Sequence, residues 1–214
     1  MYQYSNVSKN LWDSMNMLKR KKHTAVLLLV DFSKAFDSIS HDFIFNALRT
    51  FNYGPKFIAG IKLLLTNQKS AVNVGGHLTK NFPLERGVPQ GDPISAYLFI
   101  LAIELLNIAI LTNKKIGKVH LTEGTYITTE IYADDLSVIV PNSIRSIEAT
   151  IETIKQFEEY SGLAINLDKS TLSIIGHNHD MTAPVIKDKT IRWTKEFKIL
   201  GINYTTCMSQ SDKN

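Results

Sequence analysis

Asp134 and Asp135 are adjacent acids in Tyr132-Ala133-Asp134-Asp135, between the strand-like runs Thr128 to Ile131 and Leu136 to Val140. No basic residue close in sequence offsets them. Like charges at what reads as a hairpin tip repel, and a divalent cation is the usual remedy. A third acid, Asp31, directly follows the apolar run Ala25-Val26-Leu27-Leu28-Leu29-Val30. A buried strand that ends in Asp delivers that side chain to a sheet edge, where it can meet the hairpin pair. Three carboxylates converging there make a site suited to two metal ions and to phosphoryl transfer.

Two further segments carry chemistry. In Val30-Asp31-Phe32-Ser33-Lys34-Ala35-Phe36-Asp37, Asp31 and Asp37 cannot serve one metal pair if the chain stays extended, because six residues then span about 20 Å. Asp31 is the better ligand, and Asp37 is expected to bond the backbone of the turn ahead. Phe36 is expected at the same edge as Asp31, where an incoming sugar would pass. The second segment, Arg86-Gly87-Val88-Pro89-Gln90-Gly91-Asp92-Pro93-Ile94-Ser95, has two Gly and two Pro and reads as a loop of fixed shape before a helix. Its glycines admit a close backbone or base, and Gln90 offers a donor and an acceptor. Taken alone it could equally be an ordinary helix entry.

The elements that must position these residues follow from periodicity and punctuation. Asn6 to Lys22 reads as a helix on Leu11, Trp12, Met15 and Leu18. It closes on Lys19-Arg20-Lys21-Lys22-His23, either favourable charge at a helix C-terminus or a contact for phosphates. Thr24 to Phe32 reads as a buried strand. Ser40 can cap a helix over His41 to Phe51, and Gly54-Pro55 starts another to about Thr66. Gly75-Gly76 reads as a tight turn between Ser70 to Val74 and His77 to Phe82. Asn142 to Tyr160 is amphipathic, with Ile147, Ile151, Ile154 and Phe157 on one side and Gly162 as its stop. Short strands are expected at Ser170 to Ile175, Thr190 to Trp193 and Lys198 to Tyr204. The whole suggests an α+β fold, an antiparallel sheet with helices packed on one face.

At 214 residues and 44% hydrophobic composition, the chain can build a substantial core. The net charge of +4 sets 24 basic residues against 20 acidic ones, a mild lean towards an anionic partner. Cys207 is the only cysteine, which excludes an intramolecular disulfide and a cysteine-cluster zinc site and makes a reducing, intracellular compartment the default. Pro93 to Leu111 is apolar and nearly long enough to span a bilayer. With Glu104 and Asn107 on one helical face, it reads as a buried core helix, so no membrane partner is expected.

In order along the chain, Asp31-Phe32-Ser33-Lys34-Ala35-Phe36-Asp37, Gly87-Val88-Pro89-Gln90-Gly91-Asp92-Pro93-Ile94-Ser95 and Tyr132-Ala133-Asp134-Asp135 resemble successive motifs of reverse transcriptases. Ser161-Gly162-Leu163, Asn166-Leu167-Asp168-Lys169-Ser170 and Phe197-Lys198-Ile199-Leu200-Gly201 continue the match. The chain is most similar to the LINE-type, non-LTR retrotransposon enzymes. The resemblance implies a polymerase palm with part of the fingers: residues 1–23 ending the fingers, 24–196 the palm, and 197–214 a primer-grip hairpin and truncated C-terminus. It implies RNA-templated addition of deoxynucleotides to a primer 3′-hydroxyl, with two Mg²⁺ ions (Mn²⁺ as substitute) on Asp31, Asp134 and Asp135.

Residue by residue, Phe36 matches a steric gate against a ribose 2′-hydroxyl. Phe32, Pro89, Gln90, Gly91 and Tyr132 match positions around the templating base and incoming nucleotide. Lys169 matches a lysine that protonates leaving pyrophosphate, and Leu200 and Gly201 match the primer grip. Implied partners are an RNA template, a DNA primer, deoxynucleoside triphosphates and the fingers, thumb and endonuclease domains of a longer polyprotein; a nuclear location follows from the resemblance alone. A catalytically silent, nucleic-acid-binding remnant is the competing expectation. Phe36 speaks against an RNA-dependent RNA polymerase, which must admit the 2′-hydroxyl.

Overall fold

Aliphatic residues run unbroken from Ala25 to Val30, and in the computed structural model this run is the central strand of the largest sheet. Residues 4–122, 125–127, 129–132, 135–177, 183–186, 191–199 and 202–206 are described. The elements are α1 (Tyr4–Arg20), β1 (Thr24–Asp31), α2 (Ala35–Ser38), α3 (His41–Thr50), α4 (Pro55–Leu65), β2 (Lys69–Ser70), β3 (Asn73–Val74), β4 (His77–Leu78) and β5 (Phe82–Pro83). There follow α5 (Pro93–Thr112), β6 (Val119–Thr122), β7 (Thr125–Ile127), β8 (Thr129–Tyr132), β9 (Asp135–Pro141) and α6 (Ile144–Ser161). The last are β10 (Thr171–Gly176), β11 (Arg192–Trp193), β12 (Glu196–Ile199) and β13 (Ile202–Thr205). They form two compact units: Met1–Phe32, Asn107–Lys155 and Ile165–Asn214 in the first, Ser33–Leu106 and Gln156–Ala164 in the second.

The first unit holds a five-stranded sheet in the order β11-β10-β1-β9-β8. β1 pairs antiparallel with β9 and β10, and β9 with β8, while β10 and β11 run parallel. Alternate residues of β1 serve opposite faces. Ala25 and Leu27 join a core with Leu11, Met15 and Leu18 of α1, Val119 and Leu121 of β6, and Phe197 and Tyr204 of the β12–β13 hairpin. Leu28 and Val30, on the other face, meet Ile151 and Ile154 of α6 around a small void.

The fold is therefore α+β as expected, with a change of layering: helices lie on both faces rather than one. Both faces of β1 are apolar, so both need cover. The β6–β7 hairpin is a second addition to the expected elements. Its two apolar anchors, Val119 and Leu121, alternate with the exposed His120.

In the second unit the Ser40 hydroxyl caps α3, accepting from the Phe43 amide at 3.4 Å. Phe43 meets Phe157 of α6 edge-on at 5.3 Å. Gly75-Gly76 forms a two-residue turn between β3 and β4, closed by the Gly76 amide donating to Asn73 Oδ1 at 3.0 Å. α5 is long and apolar enough to cross a membrane, by length and composition. It buries Leu98, Phe99, Ala102, Ile103 and Leu106 while Tyr97 is 67% and Ile100 56% exposed. The expected core helix is thus buried along one face, and the other is apolar and open.

Candidate active site

The site is built on the end of β1. Antiparallel register places Asp31 directly opposite Asp135, the first residue of β9. β8 and β9 pair from Tyr132 opposite Asp135, and two residues of sequence, Ala133 and Asp134, separate them. Asp134 and Ala133 lie outside the described residues, and Tyr132 and Asp135 are described by their backbone. Two of the three candidate acids thus come from segments a hundred residues apart and share one cross-strand position.

Asp31 is held on both sides by the turn Asn166 to Ser170. Its carbonyl accepts from the Asn166 amide at 2.8 Å, and its amide donates to Ser170 Oγ at 3.3 Å. That hydroxyl in turn donates to the Asn166 carbonyl at 2.8 Å. The same turn presents Lys169, whose Nζ stands 3.9 Å from Asp31 Oδ2. Both side chains are substantially exposed, 70% for Lys169 and 39% for Asp31, so this ion pair is solvent-screened and adds little to stability. A cleft of about 340 Å³ opens there, lined by Asp31, Ser137, Lys169 and, from β12, Glu196 and Lys198.

No sequence signal singles out Glu196, and Lys198 is marked only by lying within the motif Phe197 to Gly201. The same holds for Asn166 and Ser170 as positioning residues, because their role depends on a turn meeting a strand more than a hundred residues away. A further anchor is the Thr129 hydroxyl of β8, which donates to Asn107 Oδ1 in the C-terminal half of α5. Leu200 and Gly201 lie outside the described residues, between the described strands β12 and β13.

Phe32 differs from expectation. It is 6% exposed and bridges to Ile165, so its ring packs in the core instead of lining an open surface. Strand alternation explains this, since the pleat turns Phe32 away from the face of Asp31. Asp37 also differs. The chain does not stay extended after Phe32: Lys34 takes a left-handed conformation (φ 50, ψ 48) and α2 follows. The hydroxyl that holds this turn belongs to Ser38, donating to the carbonyls of Ser33 at 3.0 Å and Lys34 at 2.7 Å, while Asp37 is exposed.

Within the second unit Phe36 is half-buried and stacks on Phe99 of α5, with ring centroids 4.6 Å apart. The glycine-proline loop is tied down at its start. Gly87 and Val88 donate their amides to the carbonyls of Ile39 and Phe36, each at 2.7 Å, and His41 Nε2 lies 2.8 Å from the Gly87 carbonyl. Further on, Asp92 Oδ1 accepts from the Ile94 amide at 3.0 Å, at the start of α5. Between these ties Gln90 and Gly91 are exposed and Pro89 is half-buried.

Residues 2–204 match the family described as reverse transcriptase (RNA-dependent DNA polymerase). The chain belongs to that family. It is 28% identical over 192 residues to the transposon TX1 uncharacterized 149 kDa protein of Xenopus laevis, covering 89% of this chain and 14% of that protein. It is 29% identical to the Pol polyprotein of the Drosophila melanogaster retrotransposable element R2DM, covering 82% and 17% respectively. The chain thus spans a small part of the length of these relatives, which makes it similar to one domain of non-LTR retrotransposon polyproteins. A solved telomerase from Candida albicans, in complex with a fragment of telomeric RNA, superposes with a TM-score of 0.63 at 14% identity, over 96% of this chain and 34% of that one. Apo telomerase from Candida tropicalis gives 0.62 at 13% identity, over 96% and 39%. At that identity the likeness concerns the fold, the polymerase palm.

Proposed function

We propose that this chain carries the polymerising centre of a LINE-type reverse transcriptase, adding deoxynucleotides to a primer 3′-hydroxyl on an RNA template. The observation that carries the reading is the register of Asp31 against Asp135, to which Asp134 is the neighbour in sequence. Directly opposed residues of neighbouring strands lie about 4.5–5.5 Å apart, and like charges there repel. A donor set made wholly of carboxylate oxygens suits Mg²⁺ or Mn²⁺ and would relieve that repulsion. Asp31, Asp134 and Asp135 would hold two such ions, which when bound lower the pKa of a 3′-hydroxyl and neutralise triphosphate charge.

The remaining roles belong to the chain's own groups. Asn166 and Ser170 fix the backbone of Asp31. Lys169 holds a proton at Nζ for the departing pyrophosphate. Phe36 excludes a ribose 2′-hydroxyl, and Pro89, Gln90, Gly91 and Tyr132 border the templating base and nucleotide; these parts follow from the motif match. Leu200 and Gly201 steady the primer end at the β12–β13 hairpin. In this reading residues 1–23 close the fingers, 24–196 form the palm and 197–214 begin the primer grip.

The test pairs activity with metal binding. Asp31→Asn and Asp134→Asn should each lower RNA-templated primer extension by about 10²–10³-fold or more. Mg²⁺ or Mn²⁺ should raise the melting temperature of the parent by mass action, and the rise should shrink in both variants. Equal metal-induced shifts in parent and variants would overturn the metal assignment, and nucleic-acid binding without extension or metal response would favour the silent remnant.

A further inference from the structure

The end of the first unit's sheet opposite Asp31 is basic. Arg20, the last residue of α1, and Lys21 and Lys22 beyond it are all exposed. Charge at a helix C-terminus accounts for Arg20, but Lys21 and Lys22 lie past the helix. Their turn is closely held: the Lys21 amide donates to the Met17 carbonyl at 3.0 Å and the His23 amide to that of Leu18 at 2.8 Å. Across from it, a Cβ on Gly176 would come within 2.3 Å of the His23 carbonyl oxygen, so only glycine lets the two strand ends close.

Two more connections bring cations to the same end. Thr24 is paired with Gly176 and Ala25 with Pro141, where β9 stops. Just beyond, Arg145 is exposed in the first turn of α6, which has no acidic residue. A cation gains nothing from the positive end of a helix dipole, and the nearest acid along α6 is Glu148, three residues on, with which Arg145 forms no salt bridge. The Gly117 amide donates to Ser146 Oγ at 3.1 Å, which brings in Lys118, exposed and lying 4.2 Å over the ring of Tyr126. Among the described residues none of these five cations forms a salt bridge. By strand rise they lie about 23 Å from Asp31.

We propose that this basic end is a second nucleic-acid contact, which grips a phosphodiester backbone away from the acidic end of the same sheet. The choice of partner rests on the reverse-transcriptase reading: a chain that handles RNA and DNA meets phosphates as its commonest anion. Five cations from three separate connections, held by backbone bonds, can follow several successive phosphates. The exposed ring of Tyr126 offers a surface on which an unpaired base can stack.

The experiment substitutes Gln for Arg20, Lys21, Lys22, Lys118 and Arg145 in the 214-residue chain and measures binding of a single-stranded RNA and of a DNA duplex by anisotropy over a salt series. For every phosphate that the variant no longer neutralises, the slope of log K against log salt should fall by about 0.9 for the duplex or about 0.7 for the single strand. Binding near 0.1 M salt should weaken at least about tenfold. The strand type with the larger change in slope is the one held there. Asp31→Asn serves as the second arm: it should leave the salt slope unchanged and lose the metal response, whereas the five-fold variant should do the opposite. Unchanged slopes for both nucleic acids in the folded five-fold variant, or no binding by the parent, would overturn the proposal. Unchanged nucleic-acid binding together with a loss of binding to anionic vesicles or to an acidic protein would assign the patch to that partner instead.

Discussion

Two regions that carry the family's motifs are held in different ways. In the first unit, Asp31 is fixed by register against β9 on one edge of β1 and, on its backbone, by the turn Asn166 to Ser170, whose Ser170 hydroxyl accepts from its amide. In the second, the loop from Arg86 to Asp92 is fixed by backbone amides and by glycine conformations, and its middle is open. The contrast fits the demands on each. If Asp31 shares a cation with other carboxylates, as proposed, it tolerates little displacement, and a strand supplies that rigidity. A loop that borders a changing substrate benefits from ties at its ends and freedom between them.

The largest effect should come from Gly87. Its φ is +84, and an added Cβ would lie 2.7 Å from the Asp37 carbonyl oxygen, a backbone atom that cannot swing away. Gly91 has a similar φ of +93 but open space around it. Gly87→Ala should therefore destabilise by about 3 kcal/mol and Gly91→Ala by about 1 kcal/mol, the cost of the left-handed backbone alone. Denaturant melts of both variants check this. Equal losses would mean that the start of the loop is as free as its middle.

Next in size is Ser170→Ala in the first unit. The hydroxyl is buried, and its removal leaves the Asp31 amide without that acceptor, at a cost of about 1–2 kcal/mol. If the clamp positions Asp31, metal-induced stabilisation should fall as well, and Ser170→Thr should restore part of it. A stability loss with the metal response intact would confine Ser170 to a packing role.

How far the molecule is legible in its sequence varies with the range of the cause. Local signals read well: the Ser40 cap, the Gly75-Gly76 turn, the unbroken apolar run of β1 and the hairpin around Ala133-Asp134 each depend on a few neighbours. The turn after Phe32 does not, because Asp and Ser both suit such turns and the choice of Ser38 over Asp37 depends on the left-handed residue at Lys34. The β6–β7 hairpin escapes a pattern reading because only Val119 and Leu121 carry its apolar signal. The layering of helices escapes it because an unbroken run says that both faces are covered, without saying by what. Register is the least local property: no pattern near Asp31 says that Asp135 lies opposite, or that Asn166 and Ser170 hold its backbone.

Phe36→Val sharpens the same contrast from the second unit. The ring is half-buried and stacked on Phe99, so truncation should cost about 1 kcal/mol, less than the roughly 3–5 kcal/mol of a fully buried Phe. A steric gate predicts retained deoxynucleotide use and a marked rise in ribonucleotide incorporation. An unchanged ratio in a folded, active variant would remove Phe36 from the site.

The smallest change in stability, and the most informative, should come from Lys169→Gln. Its charged neighbour is Asp31 at 3.9 Å, across an exposed pair that water screens. Folding free energy should change by no more than about 0.5 kcal/mol. If Lys169 supplies a proton to leaving pyrophosphate, extension should nevertheless fall by about 10²-fold, within the range of general-acid catalysis. Lys169→Arg should keep the charge beside Asp31 but transfer its proton poorly, so binding of the triphosphate should survive while the rate of addition does not. Full activity in Lys169→Gln would show that the pair with Asp31 is only a surface contact, and that the proton reaches pyrophosphate from solvent or from another residue lining the cleft.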